Sequence, residues 1–312
     1  MEAREALVSA LQPFLRKRDL LIDAPMKRYT TLRLGGPASV LCEIDSVEQL
    51  ARVLQTVSEL HAPVFPLGNG SNLLVSDAGI DKLVVHIGDQ FADVSAPVPL
   101  PDGRFAITAQ AGATLQKLSN AAADAGLRGL EFAGGIPGTV GGGVCMNAGA
   151  YGGELRGVID GVTAMTLRGE TTRFDNEGMR FAYRDSVIQH YAEPLIVTSA
   201  TVVLEPGDEE TIRATMREFS ARRREKQPLT VPCCGSTFKR PEGNFAGTLI
   251  EQCGLKGYRV GGCSVSTLHA GFLVNDEDGT AADYRRLIAD VQRIVMEKTG
   301  VALTPEVRLE GW

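Results

Sequence analysis

The segment from Gly134 to Gly152, which reads GGIPGTVGGGVCMNAGAYG, constrains the fold of this chain more than any other part of its sequence. It holds eight glycines in nineteen residues, one proline and no charged side chain. Glycine allows the backbone to adopt positive φ angles and to lie close to a ligand, and successive N–H groups freed in this way can form a concave anion site. We therefore interpret the segment as a backbone cradle for a large, phosphate-bearing cofactor. A flexible loop is the alternative, although such loops are richer in Ser, Asn and Lys than in Ile, Val, Met and Ala.

Neither glycine cluster of the chain follows the dinucleotide fingerprint of the Rossmann fold, which is G-x-G-x-x-G between a strand and a helix. In the long segment, Gly135, Gly138 and Gly141 are spaced three apart. In the earlier cluster, Gly68–Asn72, the position of the third glycine is taken by Leu73. No Gly-Lys-Ser/Thr follows either cluster, which excludes a P-loop. A dinucleotide bound here would therefore need a different fold.

The composition is that of a globular enzyme with an excess of glycine, which contributes 35 of 312 residues. This is about 11%, against about 7% in average proteins. The net charge of −6 argues against a nucleic-acid-binding protein, which usually presents a basic face. We find neither an apolar run long enough to span a membrane nor a signal-peptide core, so we expect a cytoplasmic protein that does not insert into membranes. The six cysteines lack metal-binding spacing, so we expect free thiols and no metal site.

Hydrophobic periodicity and helix-capping residues predict helices and strands that alternate irregularly, which favours an α+β fold over a doubly wound sheet. Helices are predicted at 1–18, 46–60, 114–125, 208–225 and 280–299, and strands at 64–67, 73–75, 83–87, 105–109, 161–167, 170–174, 195–204 and 306–309. Pro228 must end the fourth helix because proline removes a helical hydrogen bond. The clearest change of character along the chain is therefore near residue 225.

Four short polar segments stand in apolar or glycine-rich surroundings and are candidates for chemistry. They are Tyr183–Ser186, Cys234–Lys239, Ser266–His269 and Pro305–Arg308. Taken singly, each has a structural explanation, such as a surface ion pair for Arg184 or a turn hydrogen bond for Ser236. No G-x-S-x-G elbow surrounds Ser236, which disfavours a serine hydrolase.

Taken together, the motifs are far more specific than any one of them. In order along the chain they are TTLRLGGPA at 30–38, GNGSNLLV at 68–75, GIPGTVGG at 135–142, MNAGAYG at 146–152, YRDS at 183–186, KQP at 226–228, GSTFK at 235–239 and PEVR at 305–308. This set resembles the UDP-N-acetylenolpyruvoylglucosamine reductases, the flavoenzymes of peptidoglycan precursor synthesis, in their shorter type. The resemblance covers nearly the whole chain from about residue 28.

The resemblance implies an FAD-binding fold of the vanillyl-alcohol oxidase type, with a C-terminal substrate-binding α/β domain. It divides the chain into a first FAD-binding subdomain at 1–88, completed by the C-terminal strand at 301–312, a second at 89–225, and a substrate-binding domain at 226–300. Backbone amides of two glycine loops would hold the pyrophosphate of non-covalent FAD. The residues assigned to the cofactor are Gly68, Asn69, Gly70, Ser71, Asn72, Gly135, Ile136, Pro137, Gly138, Thr139, Gly141 and Gly142.

The family's reaction reduces the enolpyruvyl ether of UDP-N-acetylglucosamine to a lactyl ether, with NADPH as the reductant of FAD. Because negative charge develops on the α-carbon and its carboxylate, the reaction needs electrostatic stabilisation and a general acid. By resemblance, Arg184 and Glu306 flank that carboxylate and Ser236 donates the proton. We expect Arg184, Lys239 or a water relay to assist the weakly acidic hydroxyl. Lys226, Lys239 and Tyr151 are assigned to the substrate.

Two other functions remain open at this stage. One is an FAD-dependent oxidase or dehydrogenase of the wider fold that acts on a sugar or alcohol. Many such oxidases attach FAD through a histidine in an early glycine loop, and no histidine lies in Gly68–Asn72 or Gly134–Gly152. The other is a non-catalytic nucleotide-sugar binder, which would be colourless. We expect a monomer whose partners are NADPH and UDP-N-acetylglucosamine enolpyruvate, and no nucleic acid.

Overall fold

The computed structural model describes residues 2–312, which divide into two compact units. The first unit consists of residues 2–22, Val40–Asn69 and Lys82–Ala221, and the second consists of Asp23–Ser39, Gly70–Asp81 and Arg222–Trp312. The three-part division implied by the family resemblance remains a prediction. No helix within residues 2–312 combines the length and the apolar character that a membrane crossing requires.

Helices and strands are interspersed along the described chain. The α-helices are α1 (Glu2–Leu11), α2 (Val47–Glu59), α3 (Leu115–Asp124), α4 (Val140–Cys145), α5 (Glu209–Lys226), α6 (Ala246–Gln252) and α7 (Ala281–Thr299). The strands are β1 (Leu20–Pro25), β2 (Pro37–Glu43), β3 (Val64–Leu67), β4 (Leu73–Val75), β5 (Ile80–His86), β6 (Val98–Pro99), β7 (Phe105–Gln110), β8 (Leu127–Arg128), β9 (Gly149–Ala150), β10 (Gly153–Glu154), β11 (Ile159–Met165), β12 (Thr171–Asp175), β13 (Ile196–Pro206), β14 (Arg259–Val260), β15 (Cys263–Val265), β16 (Leu273–Asn275) and β17 (Arg308–Glu310). All predicted strands are present, with some ends displaced by a few residues.

Capping residues set the ends of the helices. Thr280 and its partner Asp283 form a complete capping box at the start of α7, and Gly300 ends that helix with a left-handed φ of 72°. At the start of α2, Ser46 accepts a hydrogen bond from the N–H of Gln49, in agreement with the helix predicted at 46–60. The first helix was predicted over 1–18 but ends at Leu11, because the proline at position 13 cannot donate a helical hydrogen bond.

The first unit is built around an antiparallel sheet with the strand order β12-β11-β13-β7-β6, and β8 also pairs with β13. The long strand β13 buries alternate side chains such as Ala200, Val202 and Leu204, as expected for a sheet with one face on a core. Strands β1, β2, β5 and β3 form a four-stranded sheet in the order β1-β2-β5-β3. Within that sheet β3 and β5 are parallel.

The second unit has its own hydrophobic core under α7. This helix buries Tyr284, Leu287, Ile288, Val291 and Val295, which recur at the three- and four-residue spacing of one helix face. An antiparallel sheet in the order β14-β15-β16 lies in the same unit. The C-terminal strand β17 pairs in parallel with β4, so the end of the chain lies beside the strand that follows the first glycine cluster.

Candidate functional site

The first unit brings parts of the two glycine segments into contact. The side-chain amide of Asn69 donates a hydrogen bond to the carbonyl of Pro137 at 2.6 Å. A Cβ atom on Gly68 would lie 2.5 Å from Oγ1 of Thr139, closer than real Cβ atoms approach another atom. Within residues 2–312, the backbone N–H groups of Asn69 and Thr139 donate to no protein acceptor. These two amides are therefore available to an anionic ligand such as a pyrophosphate.

The second half of the long glycine segment is a helix rather than an irregular cradle. Thr139 is the N-cap of α4, and its Oγ1 accepts a hydrogen bond from Gly142. A Cβ at Gly141 would lie 2.9 Å from the Cβ of Ala111, and one at Gly143 would lie 3.1 Å from the Leu115 side chain. The N–H of Gly141 is already bonded to the carbonyl of Ala111 at 2.9 Å. Close packing of a short helix thus explains part of the glycine content that we interpreted as a cradle.

Arg184 lies in a strained turn that contacts the MNAGAYG motif at 146–152. Its φ angle is +56°, a conformation that costs energy in a residue other than glycine. Its guanidinium donates to the carbonyl of Gly149 at 3.3 Å. The amide of Asn147, a buried side chain, donates to the carbonyl of Ala182 at 3.0 Å and accepts from the N–H of Arg156 at 3.0 Å. The structure therefore joins the MNAGAYG and YRDS motifs, and it adds Asn147, which the sequence analysis did not single out.

Tyr151 also lies in the first unit, near the end of the MNAGAYG motif. Its ring is stacked on Phe219, with centroids 4.5 Å apart and planes 7° from parallel. The ring remains partly exposed. This contact fixes one face of the ring against α5, and its predicted contact with substrate is not tested by the geometry of the protein alone.

In the second unit, the GSTFK and PEVR motifs lie side by side. The N–H of Glu306 donates to the carbonyl of Thr237 at 2.8 Å, and the N–H of Lys239 donates to the carbonyl of Thr304 at 2.9 Å. Ser236 is exposed at the start of this pairing, and Glu306 is half-buried. Ser236 and Lys239 thus lie on a segment adjacent to that of Glu306, which comes about 70 positions later in the chain.

The end of the first glycine cluster is tied to the same place. The side-chain amide of Asn72 donates to the backbone carbonyl of Glu306 at 3.0 Å. The backbone carbonyl of Asn72 accepts from the N–H of Arg308 at 3.1 Å. Gly70 has a φ of +58°, and a Cβ there would overlap the carbonyl oxygen of Tyr29. The N–H groups of Gly70 and Ser71 have no acceptor among the described residues.

Lys226 and the Ser266–His269 segment have different surroundings from these motifs. Lys226 is exposed in the last turn of α5, where a cation is favoured by the helix dipole. The hydroxyl of Ser266 accepts hydrogen bonds from the N–H groups of Leu268 and His269. Nδ1 of His269 accepts from the N–H of Gly271 at 3.0 Å, and burial lowers the pKa of this histidine. This segment is a structural turn rather than a Ser–His couple.

The cysteines are all free thiols, as predicted. Burial raises the pKa of Cys234 and that of Cys263 each to about 12. Thiols with such pKa values stay protonated, so they are poor nucleophiles. Burial also raises the pKa of Cys233, so neither thiol of the adjacent pair Cys233-Cys234 is activated as a nucleophile.

Comparison with known proteins first defines the class of the chain. Residues 38–175 match the family model described as "FAD binding domain", which agrees with the free amides at the contact between the glycine segments. The chain therefore has the fold of an FAD-dependent flavoprotein.

A second model, described as "UDP-N-acetylenolpyruvoylglucosamine reductase, C-terminal domain", matches residues 227–310. A relative of that name from Agathobacter rectalis is 44% identical over 98% of this chain and 99% of its own length. One from Limosilactobacillus reuteri is 46% identical over 93% of this chain and 94% of its own length. A crystal structure of UDP-N-acetylenolpyruvylglucosamine reductase (MurB) from Thermus caldophilus matches with a TM-score of 0.78 and 34% identity, covering 94% of this chain and 98% of the other. The chain belongs to the UDP-N-acetylenolpyruvoylglucosamine reductase family.

The comparisons confirm several predictions made from the sequence. These are the family, the α+β FAD-binding fold with its C-terminal domain, FAD as the cofactor, and an oxidoreductase activity. They do not test the individual site residues, which remain proposals.

Proposed function

We propose that this chain reduces UDP-N-acetylglucosamine enolpyruvate to UDP-N-acetylmuramate for peptidoglycan synthesis, with NADPH as the electron donor. The observation that carries the proposal is the pairing of the GSTFK and PEVR motifs, which puts Ser236 and Glu306 on adjacent segments. Membership of the family over nearly the whole chain supports the same activity.

FAD fits the residues that the structure offers for it. When bound, FAD would supply the hydride-transfer chemistry that links NADPH to the enolpyruvyl group. The available N–H groups of Asn69 and Thr139 would bind a pyrophosphate, as would those of Gly70 and Ser71. Backbone amides suit this role because they are fixed donors that carry no competing charge.

Arg184 and Ser236 are proposed to act on the charge and the proton of the reaction. Electrons arriving at the enolpyruvyl group build negative charge on its α-carbon and carboxylate, and a guanidinium is a permanent cation with a fork of donors that matches a carboxylate. Ser236 donates its hydroxyl proton to the α-carbon as the general acid. Since a serine hydroxyl is a weak acid, Lys239 or a water molecule would return the proton to it.

Glu306, Lys226 and Tyr151 are proposed to complete the substrate contacts. A negatively charged Glu306 beside the substrate carboxylate would repel it, so Glu306 serves there either protonated or by orienting a donor. The exposed ammonium of Lys226 suits a diphosphate. Tyr151, with one face of its ring against Phe219, is proposed to contact the sugar.

We further propose that the enzyme is a monomer and works in the cytoplasm. The free thiols fit a reducing compartment. Light scattering of the purified protein should give the mass of one chain, and a dimer mass would refute that part of the proposal.

The substitution Ser236→Ala tests the assignment of the proton donor. We expect NADPH to reduce the flavin of this variant at the normal rate, while UDP-N-acetylglucosamine enolpyruvate no longer reoxidises it. Ser58→Ala, on an exposed position of α2, is the matched control and should behave as wild type in both steps. Normal reoxidation in Ser236→Ala would remove Ser236 from the mechanism.

A further inference from the structure

One buried hydroxyl contacts the chain on both sides of Ser236. Tyr284, on α7, is completely buried, and its Oη lies 3.2 Å from Sγ of Cys234 and 3.2 Å from Oγ1 of Thr237. The same hydroxyl donates to the carbonyl of Leu273 at 3.2 Å. Cys234 stands two residues before Ser236 and Thr237 stands one residue after it. A single side chain thus ties both ends of this turn to one helix.

The hydrogen bonds around Tyr284 form a closed and fully satisfied set. Because the single phenol proton goes to the carbonyl of Leu273, the oxygen accepts from the hydroxyl of Thr237 and the thiol of Cys234. Oγ1 of Thr237 in turn accepts from the N–H of Leu273 at 3.2 Å. Burial raises the pKa of Cys234 to about 12 and that of Tyr284 well above its ordinary value, so every proton of the set stays in place near neutral pH.

Ser236 itself has no comparable packing. It is exposed, whereas Cys234 and Thr237 on either side are buried. Gly235, directly before it, has a φ of +79° and no atom within 4 Å of the position of a Cβ. A glycine in open space does not restrict the turn by its own sterics, so the conformation of the turn depends on the buried residues that flank it.

We infer that Tyr284 is a positioning residue for the protonation step. It holds the turn from Cys234 to Thr237 so that the exposed hydroxyl of Ser236 stays where the α-carbon is to be protonated. A general acid acts only within hydrogen-bond reach of its target, and a displacement of about 1 Å is enough to slow a reaction about a hundredfold. The inference rests on the proposed role of Ser236.

The variant Tyr284→Phe removes the hydroxyl and keeps the ring in the core. We expect reoxidation by UDP-N-acetylglucosamine enolpyruvate to slow at least about tenfold, because the general acid is misplaced. The dissociation constant of this compound and the rate of flavin reduction by NADPH should stay near the wild-type values. The solvent deuterium isotope effect on reoxidation should rise, since proton transfer then limits the rate. Amide hydrogen exchange in residues 234–237 should become faster, which is a readout independent of turnover.

Tyr258→Phe is the matched control. Tyr258 lies in the same unit as Tyr284, and its phenol donates to Asp290 of α7 at 3.2 Å. Within the described residues, Tyr258 makes no hydrogen bond to the turn of Ser236. Both half-reactions and the isotope effect should be unchanged in this variant.

Two results would overturn the inference. One is reoxidation of Tyr284→Phe at the rate of Tyr258→Phe, and the other is equal slowing of both half-reactions, which indicates a general loss of structure. Should Tyr284→Phe fail to fold, Cys234→Ala and Cys234→Ser test the same tether, because only serine keeps a donor to Tyr284. The inference requires slower reoxidation in the alanine variant alone, and equal rates in the two contradict it.

Ser236→Ala, measured beside these variants, separates the inference from the proposed function. If reoxidation is blocked in Ser236→Ala but proceeds at the normal rate in Tyr284→Phe, only the inference about Tyr284 is refuted. Normal reoxidation in Ser236→Ala refutes the role of Ser236, and the inference falls with it.

Discussion

The substitution Gly68→Ala is expected to weaken FAD binding about ten- to a hundredfold. The added Cβ would lie 2.5 Å from Oγ1 of Thr139, while the next nearest atoms of that threonine are at ordinary contact distances of 3.6 and 3.7 Å. Since ordinary contacts begin near 3.4 Å, the segments of Gly68 and Thr139 must separate by about 1 Å. The available N–H groups of Asn69 and Thr139 would then move apart, and the pyrophosphate would lose one of these proposed donors.

The expected magnitude follows from the loss of one hydrogen bond to a charged group. Such a bond contributes about 1.5–3 kcal/mol, and each 1.4 kcal/mol is about a tenfold change in affinity. FAD fluorescence, which is quenched on binding, measures the dissociation constant after the cofactor is removed and added back. Gly157→Ala is the control, because nothing lies within 4 Å of the position of its Cβ and its φ is ordinary.

A second substitution tests the steric cause directly. Thr139→Ala removes Oγ1, so adding Gly68→Ala to it should cost far less affinity than Gly68→Ala costs in the wild-type protein. Thr139→Ala alone should lower stability by about 1 kcal/mol through the lost cap of α4. Equal FAD affinity in Gly68→Ala and Gly157→Ala would refute the reasoning, and additive effects in the double variant would refute the clash.

Two further predictions concern stability. Asn147→Ala should lower the free energy of unfolding by about 2 kcal/mol, measured by denaturant titration, because the buried Asn147 side chain loses its hydrogen bonds to the carbonyl of Ala182 and the N–H of Arg156, each worth about 1 kcal/mol; a loss below about 1 kcal/mol would contradict this. A hydrogen bond from the backbone of Thr280 lowers the pKa of Asp283, so the capping box stabilises the fold above the unfolded pKa of about 4 and loses this contribution as the pH falls through the lower folded value. The melting temperature of Asp283→Asn should therefore fall less steeply than that of the wild type below about pH 4. An equally steep fall in the two proteins would contradict this.

Local signals in the sequence predicted much of the fold. Thr280 and Gly300 set the ends of α7 because capping depends on neighbouring residues alone. The helix α4 was missed because glycine has low helix propensity. The close packing of this helix leaves no room for side chains at Gly141 and Gly143, which is why glycine stands there. Such tertiary contacts leave no periodic pattern in the sequence.

The candidate site was predictable only where motifs are short and distinctive. Ser236 and Glu306 were assigned through the family resemblance, and the backbone pairing that joins their segments could not be derived from the spacing. Tyr284 was read only as part of a helical pattern, because a buried tyrosine on the core face of α7 resembles any other core residue. Asn147 offered a weak signal, as a single amide in an uncharged, glycine-rich run.

The proposed reaction is tested most directly by following one turnover of the wild-type enzyme in the absence of oxygen. The bound flavin is first reduced with NADPH, and UDP-N-acetylglucosamine enolpyruvate is then added while the visible spectrum is recorded. We expect the oxidised flavin absorbance to return and mass spectrometry to find UDP-N-acetylmuramate, which has two more hydrogen atoms than the starting compound. A flavin that stays reduced, or a spectrum without flavin after supplying FAD, would contradict it.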